Sequence, residues 1–165
     1  KMNRKYTIEQ YLERVEALRQ IRPDIALTTD IIIGFPGEND EDFQATMQLL
    51  DTVRYHGAFS FKYSDRPQAK AITFDNKIDE QAKSERLKIL QERQNDISLQ
   101  RNREYEGSVQ LVMIEGESKN GEGQWSGRTM NNIIVNFDVH ALSPVQEVQV
   151  RITEGLLHSL RGVIA

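Results

Sequence analysis

Apolar residues recur three and four apart at Ile8, Tyr11, Leu12, Val15, Leu18 and Ile21, which predicts one buried face of a helix. Thr7 and Gln10 ahead of them match a capping box, and Pro23-Asp24 ends the run. The period then changes. Residues Ile25 to Ile33 are β-branched and almost continuously apolar at the end, predicting a strand buried on both faces, as in a parallel sheet. Gly34-Phe35-Pro36-Gly37-Glu38 predicts a tight turn. Asn39 follows as N-cap, with Asp40, Glu41 and Asp42 at the positive end of a second helix that buries Phe43, Met47, Leu50 and Val53. Gly57 breaks the chain, and Ala58 to Tyr63 alternates with period two, a second strand. After an irregular loop to Lys77, Asp79 to Tyr105 reads as one long charged helix. Its inner side is Leu87, Leu90, Gln94 and Ile97, and its remaining faces are solvated.

Beyond Gly107 the pattern shortens to Ser108–Glu115, Gln124–Thr129, Asn132–Asp138, Val145–Ile152 and Ser159–Ile164, separated by Gly, Asn, Ser and Pro. Such closely spaced strands predict a small OB-like barrel. The expected fold class is therefore α/β: the C-terminal portion of a partial (β/α) TIM-like barrel over 1–103, then an all-β OB-like barrel over 104–165. Two strands and three helices cannot close a parallel sheet and leave strand faces without cover. That predicts the C-terminal part of a longer polypeptide.

Composition narrows the chemistry. The 165 residues carry a net charge of −4, and the stretch after Gly107 holds four basic against six acidic residues, so bulk charge does not attract nucleic acid. No apolar run approaches the roughly 20 residues of a membrane span. The N-terminus lacks the apolar core of a secretory signal. A cytoplasmic protein with no membrane partner is expected. Cysteine is absent, which excludes disulfides, a thiol nucleophile and thiolate-held iron within these residues. His56, His140 and His158 show no metal-ligand spacing, and a surface or satisfied role is expected of each.

The first strand and the turn after it carry the most local information. Ligands of α/β sheets and barrels sit at the carboxyl ends of strands, where Gly34 and Gly37 allow close backbone approach. Asp30 inside a buried strand needs a hydroxyl or a cation as partner. A plain turn, with Asp30 satisfied by nearby backbone or an arginine, also accounts for the spacing. In the second part, Gly127-Arg128-Thr129-Met130-Asn131-Asn132 gathers a cation, a hydroxyl and two amides on one turn, groups suited to phosphates and base edges of an RNA loop. Trp125 and Phe137 flank it, either as stacking platforms or as barrel core. Lys119 and Arg151 are weaker RNA candidates.

Four ordered stretches resemble a known family. They are Asn3-Arg4-Lys5-Tyr6-Thr7, Thr29-Asp30-Ile31-Ile32-Ile33-Gly34-Phe35-Pro36-Gly37-Glu38, Phe59-Ser60-Phe61-Lys62-Tyr63-Ser64-x-Arg66-Pro67, and Gly127-Arg128-Thr129-x-Asn131-Asn132-x-x-Val135-Asn136-Phe137. Together they are similar to the end of the barrel and the TRAM domain of the radical S-adenosylmethionine methylthiotransferases. The resemblance implies S-adenosylmethionine and [4Fe–4S] clusters as cofactors, the cluster ligands lying outside this chain. It implies a 5′-deoxyadenosyl radical acting on C2 of an isopentenylated adenosine beside the anticodon, sulfur passed by way of an auxiliary cluster, and a methyl group from a second cofactor molecule. Partners would be the tRNA anticodon stem-loop and an electron donor protein.

Toward the cofactor the resemblance assigns Arg4 to the methionyl carboxylate, Asp30 to ribose hydroxyls and Gly34 and Phe35 to the adenine, with Tyr63 bordering the pocket. Arg128, Thr129, Asn131 and Asn132 would contact RNA. A threonylcarbamoylated adenosine or a ribosomal protein as substrate, or a non-enzymatic RNA-binding module, remain alternatives. Asp65-Arg66-Pro67-Gln68-Ala69-Lys70 departs from the family's Pro-Arg-Pro-Gly-Thr-Pro, which changes the backbone open to that loop. On its own, this chain is expected to be catalytically inactive.

Overall fold

The computed structural model describes residues 4–118, 123–138 and 147–165. Helix α1 (Ile8–Ile21) begins at the expected capping box: the Thr7 hydroxyl accepts from the Gln10 amide, and the Gln10 side chain accepts from the Thr7 amide. Strand β1 (Thr28–Ile33), helix α2 (Asp40–Val53), strand β2 (Gly57–Lys62) and helix α3 (Glu80–Arg103) follow. A short 3-10 turn at Lys70–Thr73 interrupts the loop before α3. β1 and β2 pair in parallel, with Thr28 opposite Gly57 and Ile33 opposite Lys62.

Helices cover only one face of this sheet. Ile31 and Ile33 pack with Val15, Phe43, Leu50, Val53, Leu90 and Ile97. The other face presents Asp30 and Ile32 beside Phe59 and Phe61, which are 65% and 55% exposed. The expectation that β1 is buried on both faces is thus corrected. Its apolar run is two-sided, but among the described residues only one layer packs on it. Asp30 is exposed for the same reason. α1 behaves alike: Val15 is buried, whereas Ile8, Leu18 and Ile21 stay exposed.

α3 also departs from its expected apolar seam. Leu90, Gln94 and Ile97 are buried, but so are Lys83, Ser98 and Asn102. These polar groups bond to carbonyls that no strand partner takes up. Gln94 Nε2 donates to the Tyr55 carbonyl (2.9 Å), Ser98 Oγ to the His56 carbonyl (2.9 Å), and Asn102 Nδ2 to the Leu156 carbonyl (2.6 Å).

The second sheet is a closed five-stranded barrel of β3 (Val109–Glu117), β4 (Gln124–Thr129), β5 (Ile134–Asp138), β6 (Glu147–Gly155) and β7 (Leu160–Ile164), in the order β3-β4-β5-β7-β6. β5 and β7 are parallel and the other neighbours antiparallel, the Greek-key closure of an OB-like barrel. Irregularities at Glu115 and Thr153 bend β3 and β6 so that the small barrel closes. Val112, Val135, Phe137, Val150, Ile152 and Leu160 fill it. Phe137 is therefore core, and Trp125 packs partly buried against that core. No helix among the described residues is long and apolar enough to cross a membrane.

The barrel is fastened to the first sheet at two places. The end of α3 bonds into the β6–β7 turn through Asn102. Asn131, between β4 and β5, donates to the Asp24 carbonyl (2.9 Å) and to the Tyr105 hydroxyl (2.9 Å), and accepts from Arg22 (3.2 Å).

Candidate functional site

The turn after β1 is held from three directions. Gly34 has φ +73°, and its open side is filled by the aliphatic stem of Lys83, which leaves no room for a Cβ. Glu38 Oε2 accepts from the Gly34 amide (3.0 Å), and its Oε1 accepts from Arg86 (2.8 Å), which also reaches Asp40 (2.5 Å). Although burial works against it, these carboxylates raise the Arg86 pKa. Lys83 Nζ pairs with Glu80 (2.8 Å), donates to the Tyr63 carbonyl (3.3 Å) and lies 5.8 Å from the Tyr63 ring centroid. Lys83 and Lys62 together hold Glu80 below the usual carboxylate range.

Phe35 meets Tyr63 edge-on at 5.3 Å and Phe74 at 6.1 Å. The structure thus brings Gly34, Phe35 and Tyr63 together at the carboxyl ends of the two strands. Asp30 sits on the bare face of the same strand, and no hydrogen bond or ion pair engages its side chain among the described residues. Arg4 is exposed ahead of α1 and likewise makes no such bond. Asp65, standing where the resembled family has proline, accepts from the Tyr63 hydroxyl (3.0 Å) and pairs with Lys77; Lys77 first and Tyr63 second lower its pKa. A side-chain tie thus replaces a rigid ring in that loop.

The barrel turn divides its four candidates. Arg128 Nε donates to Glu115 (2.8 Å) and its Nη1 to the Asn132 side chain (3.1 Å), while Asn132 occupies a left-handed turn at φ 62°. Thr129 is buried, its hydroxyl accepting from the Ile133 amide (3.2 Å). Asn131 fastens the barrel to the α1–β1 link, as described above. Arg128, Asn131 and Asn132 line a cleft between the barrel and the first sheet, and of these Arg128 and Asn132 keep side-chain donors with no partner among the described residues. Arg151 is exposed, and Lys119, like His140, lies outside the described residues. Arg128 and Asn132 line the cleft beside Thr28 and Gly57, at the amino ends of β1 and β2. The Gly34 turn lies a strand's length away, six residue steps from Thr28 or about 20 Å.

One expectation is reversed here. His56 is neither on the surface nor satisfied. Both ring nitrogens are buried with no hydrogen-bond partner among the described residues, and the ring faces Tyr105 edge-on at 6.4 Å. Burial first, and then the nearby Arg101 guanidinium, push its pKa down to about 4. His158 is exposed on the β6–β7 turn. Among the described residues no group of three His, Cys, Asp or Glu side chains could hold a metal. Glu38, Lys83 and Arg86 escaped the sequence reading because their roles depend on α3 crossing the turn from more than 40 residues away. Glu38, next to a glycine turn, was the one local hint.

Comparison with known proteins agrees with the motif resemblance. The Radical SAM superfamily model matches residues 1–50, and the TRAM domain model matches residues 103–165. The chain is 52% identical, over 99% of its length, to the protein named tRNA-2-methylthio-N(6)-dimethylallyladenosine synthase of Desulfotalea psychrophila, covering 36% of that protein. Proteins of the same name from Syntrophobacter fumaroxidans and Geobacter metallireducens are each 45% identical, over 98% and 100% of the chain and 35% and 37% of their own lengths. The chain spans about a third of the length of the curated relatives it matches. From end to end the chain is similar to about a third of these synthases, with its first 50 residues matching the Radical SAM superfamily model and residues 103–165 the TRAM domain model.

Proposed function

We propose that this chain is the substrate- and cofactor-positioning part of a tRNA methylthiotransferase that modifies C2 of N6-isopentenyladenosine beside the anticodon. The observation that carries the reading is the 52% identity, along nearly the whole chain, to a synthase named for that product. The proposed division is a radical SAM part over 1–103 and a TRAM part over 104–165. The setting is the cytoplasm, with tRNA as the macromolecular partner and a separate electron donor protein.

The bare sheet face fits S-adenosylmethionine. Asp30 offers an unengaged carboxylate acceptor for ribose hydroxyls, and Ile32, Phe59 and Phe61 form an apolar wall beside it. Gly34 and Phe35, braced by Glu38 and Lys83, present the end of that wall, and Tyr63 borders it. Arg4 is the candidate for the carboxylate of the methionyl group. A [4Fe–4S] cluster does not fit these residues, since no cysteine is present, so its ligands would come from outside the chain. The cofactors supply the radical and methyl-transfer chemistry; this chain orients them and limits water access along one wall. On the barrel, Arg128 is the candidate for phosphate, with Asn132 beside it for a base edge. Thr129 and Asn131 contribute by shaping and anchoring their turn.

The reading is tested with the full-length protein that carries this chain, expressed in cells lacking the modification, by mass spectrometry of nucleosides from digested tRNA. 2-Methylthio-N6-dimethylallyladenosine is expected, lost on Asp30→Ala, and not formed by the 165-residue chain alone. A methylthiolated threonylcarbamoyladenosine, or no modified nucleoside, would overturn it.

A further inference from the structure

Lys83 and Arg86 stand three residues apart on one face of α3, with side chains only 9% and 14% exposed. Long cations rarely lie so deep unless a partner holds them there. The Arg86 guanidinium lies 5.5 Å from the Phe43 ring centroid, and its Nη1 donates to both the Glu38 carboxylate (2.8 Å) and the Glu38 carbonyl (3.3 Å). Glu38, 11% exposed, gives its other carboxylate oxygen to the Gly34 amide. Lys83 lays its aliphatic stem behind Gly34, and its Nζ donates to the Tyr63 carbonyl. One face of α3 thus fixes the first residue after β1 and the first residue after β2. With the Gly34 amide taken, the peptide joining Gly34 to Phe35 keeps its carbonyl and its N–H free of hydrogen bonds among the described residues.

We propose that Lys83 and Arg86 are positioning residues for the adenine end of the cofactor, setting the direction of the Gly34–Phe35 peptide from α3. Arg86 acts through Glu38, and Lys83 acts by packing its stem against Gly34. The proposal rests on the cofactor reading given above and names what holds that backbone in place; neither cation is assigned a contact with the cofactor. A glycine at φ +73° has several backbone regions open to it, so a turn built on Gly34 is not fixed by its own sequence. Ordering such a turn at the moment of binding costs affinity, and a turn ordered beforehand avoids that cost. The charge of Arg86 matters here. A carboxylate as enclosed as Glu38 keeps its place only beside a cation, and without one it takes up a proton or turns to water. Either change weakens the acceptor that holds the Gly34 amide. The Lys83 stem closes the space on the far side of Gly34.

The experiment uses the full-length protein that carries this chain, with its clusters in place. It measures S-adenosylmethionine binding by equilibrium dialysis, beside melting temperature and hydrogen exchange of the segment holding Gly34 and Phe35. Arg86→Met should weaken S-adenosylmethionine about tenfold and speed exchange of that segment in the cofactor-free protein. Arg86→Lys, which restores the cation beside Glu38, should recover most of the affinity, a rescue that loss of packing alone would not give. Lys83→Met keeps the stem behind Gly34 and gives up only Nζ, so it should weaken S-adenosylmethionine by no more than about threefold. Lys83→Ala removes the stem and should match Arg86→Met. Should Arg86→Met not fold, the contrast between Lys83→Ala and Lys83→Met decides. Parental affinity in folded Arg86→Met, or equal affinities in the two Lys83 variants, would overturn the positioning role yet leave the cofactor reading standing. Failure of the parent protein to bind S-adenosylmethionine would overturn both.

Discussion

Two phenylalanines on two sheets show how differently the halves of this molecule use the same chemistry. Phe137 lies on β5 of a closed barrel and is 1% exposed; Phe59 lies on β2 of a two-stranded sheet and is 65% exposed. Both strands alternate correctly, and both rings are large and apolar. The barrel closes on itself, so every strand has two neighbours and every inward residue a lid. The β1–β2 pair has a covered face and an open one, and its open face holds Asp30, Ile32, Phe59 and Phe61. Alternation thus becomes core only where closure supplies the second layer; elsewhere it leaves a surface available for ligands.

Breaking the barrel should have the largest effect. Phe137→Ala removes a buried ring and should cost about 3–5 kcal/mol, read from chemical denaturation with barrel amides followed by hydrogen exchange. Acid should weaken the junction between the halves next. His56 titrates at about 4 in the folded chain and near 6.5 when unfolded, so the unfolded state binds the extra proton between those values. Stability is then full above about pH 6.5 and falls by up to about 3 kcal/mol as pH drops to 4, and His56→Leu should flatten that slope.

Glu38→Ala sharpens the comparison from the other side. It strips an acceptor from the Gly34 amide and a partner from Arg86, and should cost about 2 kcal/mol, with faster exchange at Gly34. Asn131→Ala should cost about 1 kcal/mol, its main readout being more independent tumbling of the two halves by NMR relaxation. Phe59→Ala, the counterpart of the first variant, should change stability by no more than about 0.5 kcal/mol. A loss near that of Phe137→Ala would mean that the open face is packed in solution.

Much of the fold was legible because it is local. The Thr7–Gln10 box, the Asn39 cap, the stop at Pro23 and the strand of Gln124–Thr129 all rest on neighbours within a few residues, whereas Gly57, expected as a break, is the first residue of β2. The candidate sites were legible only in part. Gly34, Phe35 and Tyr63 do meet, since a parallel pair brings the ends of successive strands together. The polar turn around Asn131 suggested an RNA contact, but its ties to Asp24 and Arg22, over 100 residues away, could not be read from it.

Residue order by itself determined the helices, the strands, their caps and the change from an α/β half to an all-β half, because periodicity and turn chemistry act over one or two turns of chain. Tertiary structure alone decided which face of β1 is bare, that Glu38, Lys83 and Arg86 lock the Gly34 turn, and that the His56 ring nitrogens end up buried without hydrogen-bond partners among the described residues. Those outcomes depend on which distant backbone arrives beside a side chain, and on whether it brings cover, charge or a hydrogen bond with it.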